Sequence, residues 1–254
     1  MSDFDGAAIS YDEKFTFSSV GIIQRNLVWH NIKKINLEGH QNVLEVNCGT
    51  GEDAKRWSGL NKSVKSTDIS PKMIELAQSK FPEIDFKTFD ITEIKKYEEN
   101  YDLLFSNFGG LNCLSTDELE TFFCDVYKQL PSHGRMILVI MGKKCFWDRV
   151  FLILKGKWKE RNRRNTESFI EVNVDQVPVK TWYYSPKETK SFVGSQFETE
   201  GVYPIGLFVP PSYLANRFKN KNRLMKFLEF LDKLFSFRFL ANYADHYLIV
   251  LKKN

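Results

Sequence analysis

The stretch Asn42-Val43-Leu44-Glu45-Val46-Asn47-Cys48-Gly49-Thr50-Gly51-Glu52-Asp53-Ala54 decides how this chain is read. Asn42–Val46 is a short apolar run of strand length, and a helical pattern follows from Glu52 to about Trp57. Between them stand two glycines, Gly49 and Gly51. Glycine lets a backbone turn sharply and approach a ligand closely. The helix start beyond it offers free N–H groups and a positive dipole end. The string Gly49-Thr50-Gly51-Glu52-Asp53-Ala54 fits the G-x-G-x-x-G/A pattern of nucleotide-binding turns, though a plain strand-to-helix turn fits it too.

Working outward, short apolar runs alternate with helical patterns. Strands are expected at Ser63–Thr67, Asp85–Phe89, Tyr101–Ser106 and Arg135–Met141. Helices are expected over 18–36, with Ser18 or Ser19 as cap, over 71–80 from Ser70-Pro71, and over 116–129 from Thr116. Such alternation means an α/β fold, a doubly wound parallel sheet. The second half loses that rhythm. Residues 143–165 read as helical and basic, Ser168–Val174 and Val179–Tyr184 as an antiparallel pair, and 186–193 as a helix. Phe197–Pro204 reads as a strand, 222–238 as a Phe-laden helix taken to be core, and Tyr243–Leu251 as the last strand. No linker is visible. One domain is expected over 1–254, with an N-terminal lid and helix at 1–36, a cofactor-binding core at 37–142, an acceptor-side insertion at 143–185 and the rest of the sheet at 186–254.

Acidic residues end the successive strands. Asp68 can hold both hydroxyls of a ribose, Asp90 can accept from an exocyclic amine, and Glu45 adds a third acid beside the glycines. A pyrophosphate is repelled by a carboxylate next to its cradle, whereas a cationic tail is drawn to it. Adenosine with a cationic tail therefore suits the pattern better than a dinucleotide. With these acids, Val43–Gly51, Thr67-Asp68-Ile69-Ser70-Pro71-Lys72-Met73, Phe89-Asp90-Ile91, Leu103–Phe108 and Leu130–Arg135 form an ordered set. In that set the chain resembles the class I S-adenosylmethionine-dependent methyltransferases from about Val43 to Met141. The resemblance implies a Rossmann-like, seven-stranded, mostly parallel sheet with an antiparallel last strand, S-adenosyl-L-methionine as cofactor, and methylation as the activity.

The resemblance also implies roles. Gly49 and Gly51 would pack against the methionyl part with Glu45, Asn47 and Cys48 around them. Asp68 would hold the ribose, and Ile69 with Met73 would line the adenine slot. Asp90 and Ile91 would read the adenine edge, and Asn107 and Phe108 would sit beside the reacting methyl. Asn47 stands where the family usually has Gly; Asn is the next most tolerant residue for a left-handed backbone. Tyr11 and Arg25 belong to an N-terminal segment that in many relatives closes over the cofactor, with Asp3-Phe4-Asp5 to Tyr11-Asp12 as the lid.

Methyl transfer needs alignment and exclusion of water, and a general base only for a protonated acceptor. His40 and His133 precede strands and so fall on the far side of the sheet; both read as surface residues. His246, backed by Asp245, starts an antiparallel last strand on the cofactor side. It is the base candidate, alongside Tyr11, with a structural pair as the alternative. The aromatics Phe146, Trp147, Trp158, Trp182, Tyr183, Phe208 and Tyr213 fall in segments leaving the cofactor side and imply a pocket for a small aromatic or apolar acceptor. Phe108-Gly109-Gly110 lacks the prolines of nucleic-acid amino-group methylases, and a net charge of +4 is mild, so nucleic acid is disfavoured as partner.

The expectation is a methyltransferase acting on an O or N atom of such an acceptor. An RNA or protein methyltransferase using the basic run 155–164, or a non-catalytic S-adenosylmethionine-binding module, are the alternatives. Four scattered cysteines without C-x-x-C spacing argue against disulfides and zinc, and no metal is expected. With no transmembrane run and no apolar leader, the expectation is a cytoplasmic monomer or homodimer. The stretch 219–239, basic then Phe-rich, reads as core first and as a dimer contact second, with peripheral membrane contact as a further reading.

Overall fold

The computed structural model describes Gly6, 8–174, 177–218 and 220–254. Asp3-Phe4-Asp5 of the expected lid and Lys219 lie outside the described residues. Among the described residues nine strands follow in chain order: β1 (Asn42–Val46), β2 (Ser63–Asp68), β3 (Asp85–Thr88), β4 (Leu103–Ser106), β5 (Arg135–Met141), β6 (Ile170–Val174), β7 (Val177–Thr181), β8 (Phe197–Ile205) and β9 (His246–Lys253). Helices α1 (Ala8–Tyr11), α2 (Ser19–Ile32), α3 (Glu52–Ser58), α4 (Pro71–Lys80) and α5 (Thr116–Gln129) accompany the first half. Helices α6 (Phe146–Leu154), α7 (Pro186–Val193), α8 (Ala215–Phe218) and α9 (Asn222–Leu234) accompany the second.

Seven strands form one sheet in the order β3-β2-β1-β4-β5-β9-β8. β1 to β5 pair in parallel, while β9 runs antiparallel to both β5 and β8. The mostly parallel sheet with its antiparallel last strand is thus as the sequence led one to expect. Strand residues alternate between two cores because successive Cβ atoms point to opposite faces. Leu44, Leu104 and Leu138 join the core with Phe122, Phe123 and Val126 of α5. Their neighbours Val43, Leu103 and Ile137 join the one with Leu27 and Trp29 of α2 and Trp57 of α3. Burial on both faces explains why these strands read as continuous apolar runs.

Several local expectations are corrected. The cap of α5 is Ser115, in a reciprocal capping box with Glu118, rather than Thr116. Residues 143–165 form only α6 and one short turn at Trp158–Glu160. The last helix stops at Leu234, followed by a 3-10 segment at Arg238–Tyr243, and its Phe-rich stripe faces outward. β9 begins at His246 and not at Tyr243. His40 is on the far side of the sheet but buried, its Nε2 3.2 Å from the His133 carbonyl and 3.1 Å from Arg135 Nη1.

Candidate active site

Three left-handed residues bend the chain after β1: Asn47 at φ 58°, Gly49 at 54° and Gly51 at 82°. At Gly51 a Cβ would sit 2.7 Å from the Phe86 ring, so glycine is demanded by space as well as by φ. The Gly49 N–H donates to Asp68 Oδ2 at 2.9 Å, and the Ser70 N–H donates to Oδ1 at 2.9 Å. The carboxylate that ends β2 is thereby fixed against the glycine turn. Cys48 is buried, and burial pushes its thiol well up, which makes it unreactive.

Glu45 departs from the expectation of an ionised acid beside the glycines. It is buried under the turn, where the Ser66 hydroxyl donates to its Oε2 at 2.9 Å. Burial, then the nearby Asp53 charge, lifts its carboxyl well above the usual range. Its environment thus favours the neutral carboxyl over the charged one.

Asp53, in the first turn of α3, collects three donors. Arg25 Nε lies at 3.2 Å and Asn107 Nδ2 at 2.8 Å from Oδ2, and Trp29 Nε1 at 2.7 Å from Oδ1. Asn107 in turn takes the Phe108 N–H on its Oδ1 at 2.9 Å. Phe108 has φ 49°, and the Arg25 guanidinium stacks 5.2 Å from its ring centre. A non-glycine residue held at positive φ is uncommon and needs surrounding support. The Asp53 hub supplies it. Sequence reading took Asp53 only as a spacer in the glycine pattern.

The N-terminal segment folds onto the same turn. Tyr11 is half-buried, its ring carbon Cε1 3.6 Å from where a Gly49 Cβ would be. Asp12 accepts from Thr50 Oγ1 at 2.5 Å and pairs with Lys80 Nζ at 2.7 Å. Burial raises the Tyr11 phenol to about 12. The raised phenol is a poorer proton acceptor than an ordinary tyrosine, and its ring covers the turn.

Of the residues expected at the adenine, Ile69 is 44% exposed next to Asp68 and free to cover a ligand, whereas Met73 and Ile91 are buried. Asp90 caps the turn Ile91–Lys96, its Oδ1 2.9 Å from the Thr92 N–H.

At the far end of the cleft, β9 pairs Met141 with His246. This register puts His246 at the carboxyl end of β5, the same end of the sheet as the glycine turn. Its ring meets that of Phe108 edge-on at 5.7 Å. Nδ1 is 3.2 Å from Asp245 Oδ2, outside hydrogen-bonding geometry. Asp245 is buried between Gln24 Nε2 at 3.2 Å and Arg164 Nη2 at 3.0 Å. Its neighbours His246 and Arg164 hold its carboxyl far below the usual range despite burial. Arg164 also reaches Asp148 at 3.3 Å, and Asp148 binds Arg163 and the Tyr213 hydroxyl, each at 2.7 Å. So the basic run is not wholly a solvated face: Arg164 is buried at its end, while Lys155, Lys157, Lys159 and Arg161 are exposed. No signal in the sequence joins Gln24, Asp148, Arg164 and Asp245, which only the fold brings together.

The aromatics of the expected acceptor side divide. Tyr183 is buried under the Arg164 guanidinium, 4.9 Å from its ring centre. Trp147 donates to the Phe208 carbonyl at 2.9 Å. Phe146, Trp158 and Tyr213 are largely exposed. A cavity of 260 Å³ is found elsewhere, between α2, α3 and α9, lined among others by Trp29, His30, Lys33, Arg56 and Lys233.

Residues 43–134 match the family model described as a methyltransferase domain. An uncharacterized protein of Methanocaldococcus jannaschii is 26% identical over 98% of this chain and 89% of its own. A non-reducing polyketide synthase of Penicillium brasilianum is 28% identical over 50% of this chain, which spans only 6% of the synthase. Among solved structures, the chain of the DhpI–SAM–HEP complex superposes with a TM-score of 0.63 at 16% identity, covering 99% of this chain and 94% of that one. Residues 43–134 are thus similar to a methyltransferase domain, and the fold of the chain is that of the S-adenosylmethionine-dependent methyltransferases it superposes on.

Proposed function

We propose that this protein transfers a methyl group from S-adenosylmethionine to an oxygen or nitrogen of a small, largely apolar or aromatic acceptor. One observation carries the reading. The glycine turn, Asp68, the Asn107-Phe108 corner and His246 lie together at the carboxyl ends of β1, β2, β4 and β5, where open α/β sheets bind ligands.

The residues fit the cofactor. Gly49 and Gly51, both at positive φ, shape a turn whose backbone can approach a ligand, and Asp68, fixed against that turn, would hold the ribose hydroxyls. Ile69 offers an exposed apolar face beside it. Asn47 and the Asn107-Phe108 corner would flank the methionyl end, with Arg25 and Tyr11 closing over it. When bound, S-adenosylmethionine supplies an electrophilic methyl on a sulfonium. The chain then has to align the acceptor, exclude water and remove a proton. Phe108 and His246 form the wall nearest that point. With Nδ1 turned towards Asp245, Nε2 is the ring nitrogen left to take the proton of an acceptor hydroxyl or amine.

Calorimetric titration with S-adenosylmethionine, its demethylated product and NAD tests the cofactor half. Binding of the first two without the third is expected, and the reverse would overturn the reading. Turnover across a panel of phenols, amines and carboxylic acids tests the acceptor half. Methylation confined to RNA or protein, abolished at high salt, would overturn the small-molecule assignment.

A further inference from the structure

We infer that α9 and the 3-10 segment after it form a docking surface for an anionic lipid bilayer. The helix buries Met225 and Asp232 and packs against α2 through that side. Leu228 packs inward as well, while a second apolar arc points the other way. Phe227, Phe230, Leu234 and Phe237 each leave half or more of their surface exposed, and Phe239 leaves 70%. With 3.6 residues per turn, Phe227, Phe230 and Leu234 fall on one stripe, and Phe237 and Phe239 stack at 5.8 Å just beyond the helix end. Monomeric proteins rarely expose so continuous an apolar surface without a partner.

Charge decides which partner. Lys221, Arg223 and Lys226 stand at the start of the patch, and Lys233 and Arg238 at its end. The helix has two acids. Glu229 pairs with Lys233 at 2.7 Å, and buried Asp232 accepts the N–H groups of Leu207 and Val209, each at 2.8 Å. A two-fold contact sets the same patch against itself. In either direction it would bring cations against cations, since both ends are basic, and like charges across an interface are unfavourable. Anionic headgroups neutralise both ends, while the phenylalanines enter the acyl boundary and the lysine stems lie along it.

The patch is also joined to the loop that carries Phe208, one of the aromatics expected on the acceptor side. Ring contacts run from Phe208 to Phe235 at 5.5 Å and from Phe235 to Phe237 at 6.3 Å. Asp232 anchors the helix to the loop that carries Phe208. Surface docking itself does not depend on the methyl-transfer reading.

Flotation of the whole chain with phosphatidylcholine vesicles, with and without phosphatidylglycerol, tests the inference. Binding at least about tenfold tighter to the anionic vesicles, weakening with salt, is expected. Phe230→Glu and Phe237→Glu should each lower partitioning about tenfold with an unchanged melting temperature, because both sites are exposed. Lys226→Glu should lower it about fivefold and flatten the salt dependence. Size-exclusion chromatography with light scattering on the same proteins tests the other occupant. No flotation with anionic vesicles, or flotation indifferent to both Phe variants, overturns the inference. So does a dimer that Phe230→Glu converts to monomer, which makes a second copy the occupant.

Discussion

Replacing Asp53 with Ala tests how the site corner is held. The carboxylate is buried and takes Arg25, Trp29 and Asn107. Its removal strands a guanidinium that is only 12% exposed, together with two neutral donors. Breaking a buried ion pair by deleting one partner costs about 3–5 kcal/mol. At about 2–4 °C per kcal/mol for a chain of this size, Tm should fall by roughly 6–20 °C. Arg25→Met should cost less, because Asp53 keeps Trp29 and Asn107. The double variant should be more stable than the sum of the singles indicates, with a coupling of about 1–3 kcal/mol. Thermal and denaturant melts of the four proteins read this directly, and cofactor titration on the folded fraction reads the loosened Asn107-Phe108 corner. A loss under about 1 kcal/mol for Asp53→Ala, or strict additivity in the cycle, would refute the hub.

The remaining predictions are these. Asp68→Ala loses charge-assisted bonds of about 1.5–3 kcal/mol each, so calorimetry should show S-adenosylmethionine affinity falling at least about tenfold; unchanged affinity would put Asp68 outside the site. His246→Ala should lower turnover by about 10²–10⁴ with cofactor affinity kept; a lower melting temperature with activity per folded molecule intact would make it structural instead. Glu45 has a raised native pKa, so its contribution is full below the unfolded carboxyl pKa of about 4.3 and is lost as pH rises towards the native value. Glu45→Gln, which keeps an acceptor for Ser66, should therefore raise Tm more at pH 8 than at pH 4, and a gain that shrinks with pH would contradict a protonated Glu45. Asp245 has a lowered native pKa, so its contribution is present above about pH 3.9 and is lost below it. Asp245→Asn should destabilise at pH 7 and approach wild type in acid, as pH-dependent melts would report.

The sequence by itself determined what depends on local order. Strand runs of four to seven residues, the Ser70-Pro71 start of α4 and the glycines of the turn are short-range requirements, so β1, β5, α4 and α5 begin and end within a residue or so of expectation. The acids that end the strands were legible for the same reason: position along a strand fixes which end of the sheet a residue occupies. Tertiary structure decided what depends on surroundings. Glu45 and Arg164 look like any other charged residues in the sequence, and only burial beside Asp53 or between Asp148 and Asp245 sets their charge state and partners. Asp53 became the centre of the corner because α2, α3 and the loop after β4 meet there, drawing donors from residues 25, 29 and 107. The outward stripe of α9 is the sharpest case. Apolar periodicity shows that a helix has a face, but which side turns inward is settled by what packs against it. Here Asp232, holding the backbone N–H groups of Leu207 and Val209, turned the side with Met225 and Leu228 in and left Phe227 and Phe230 out.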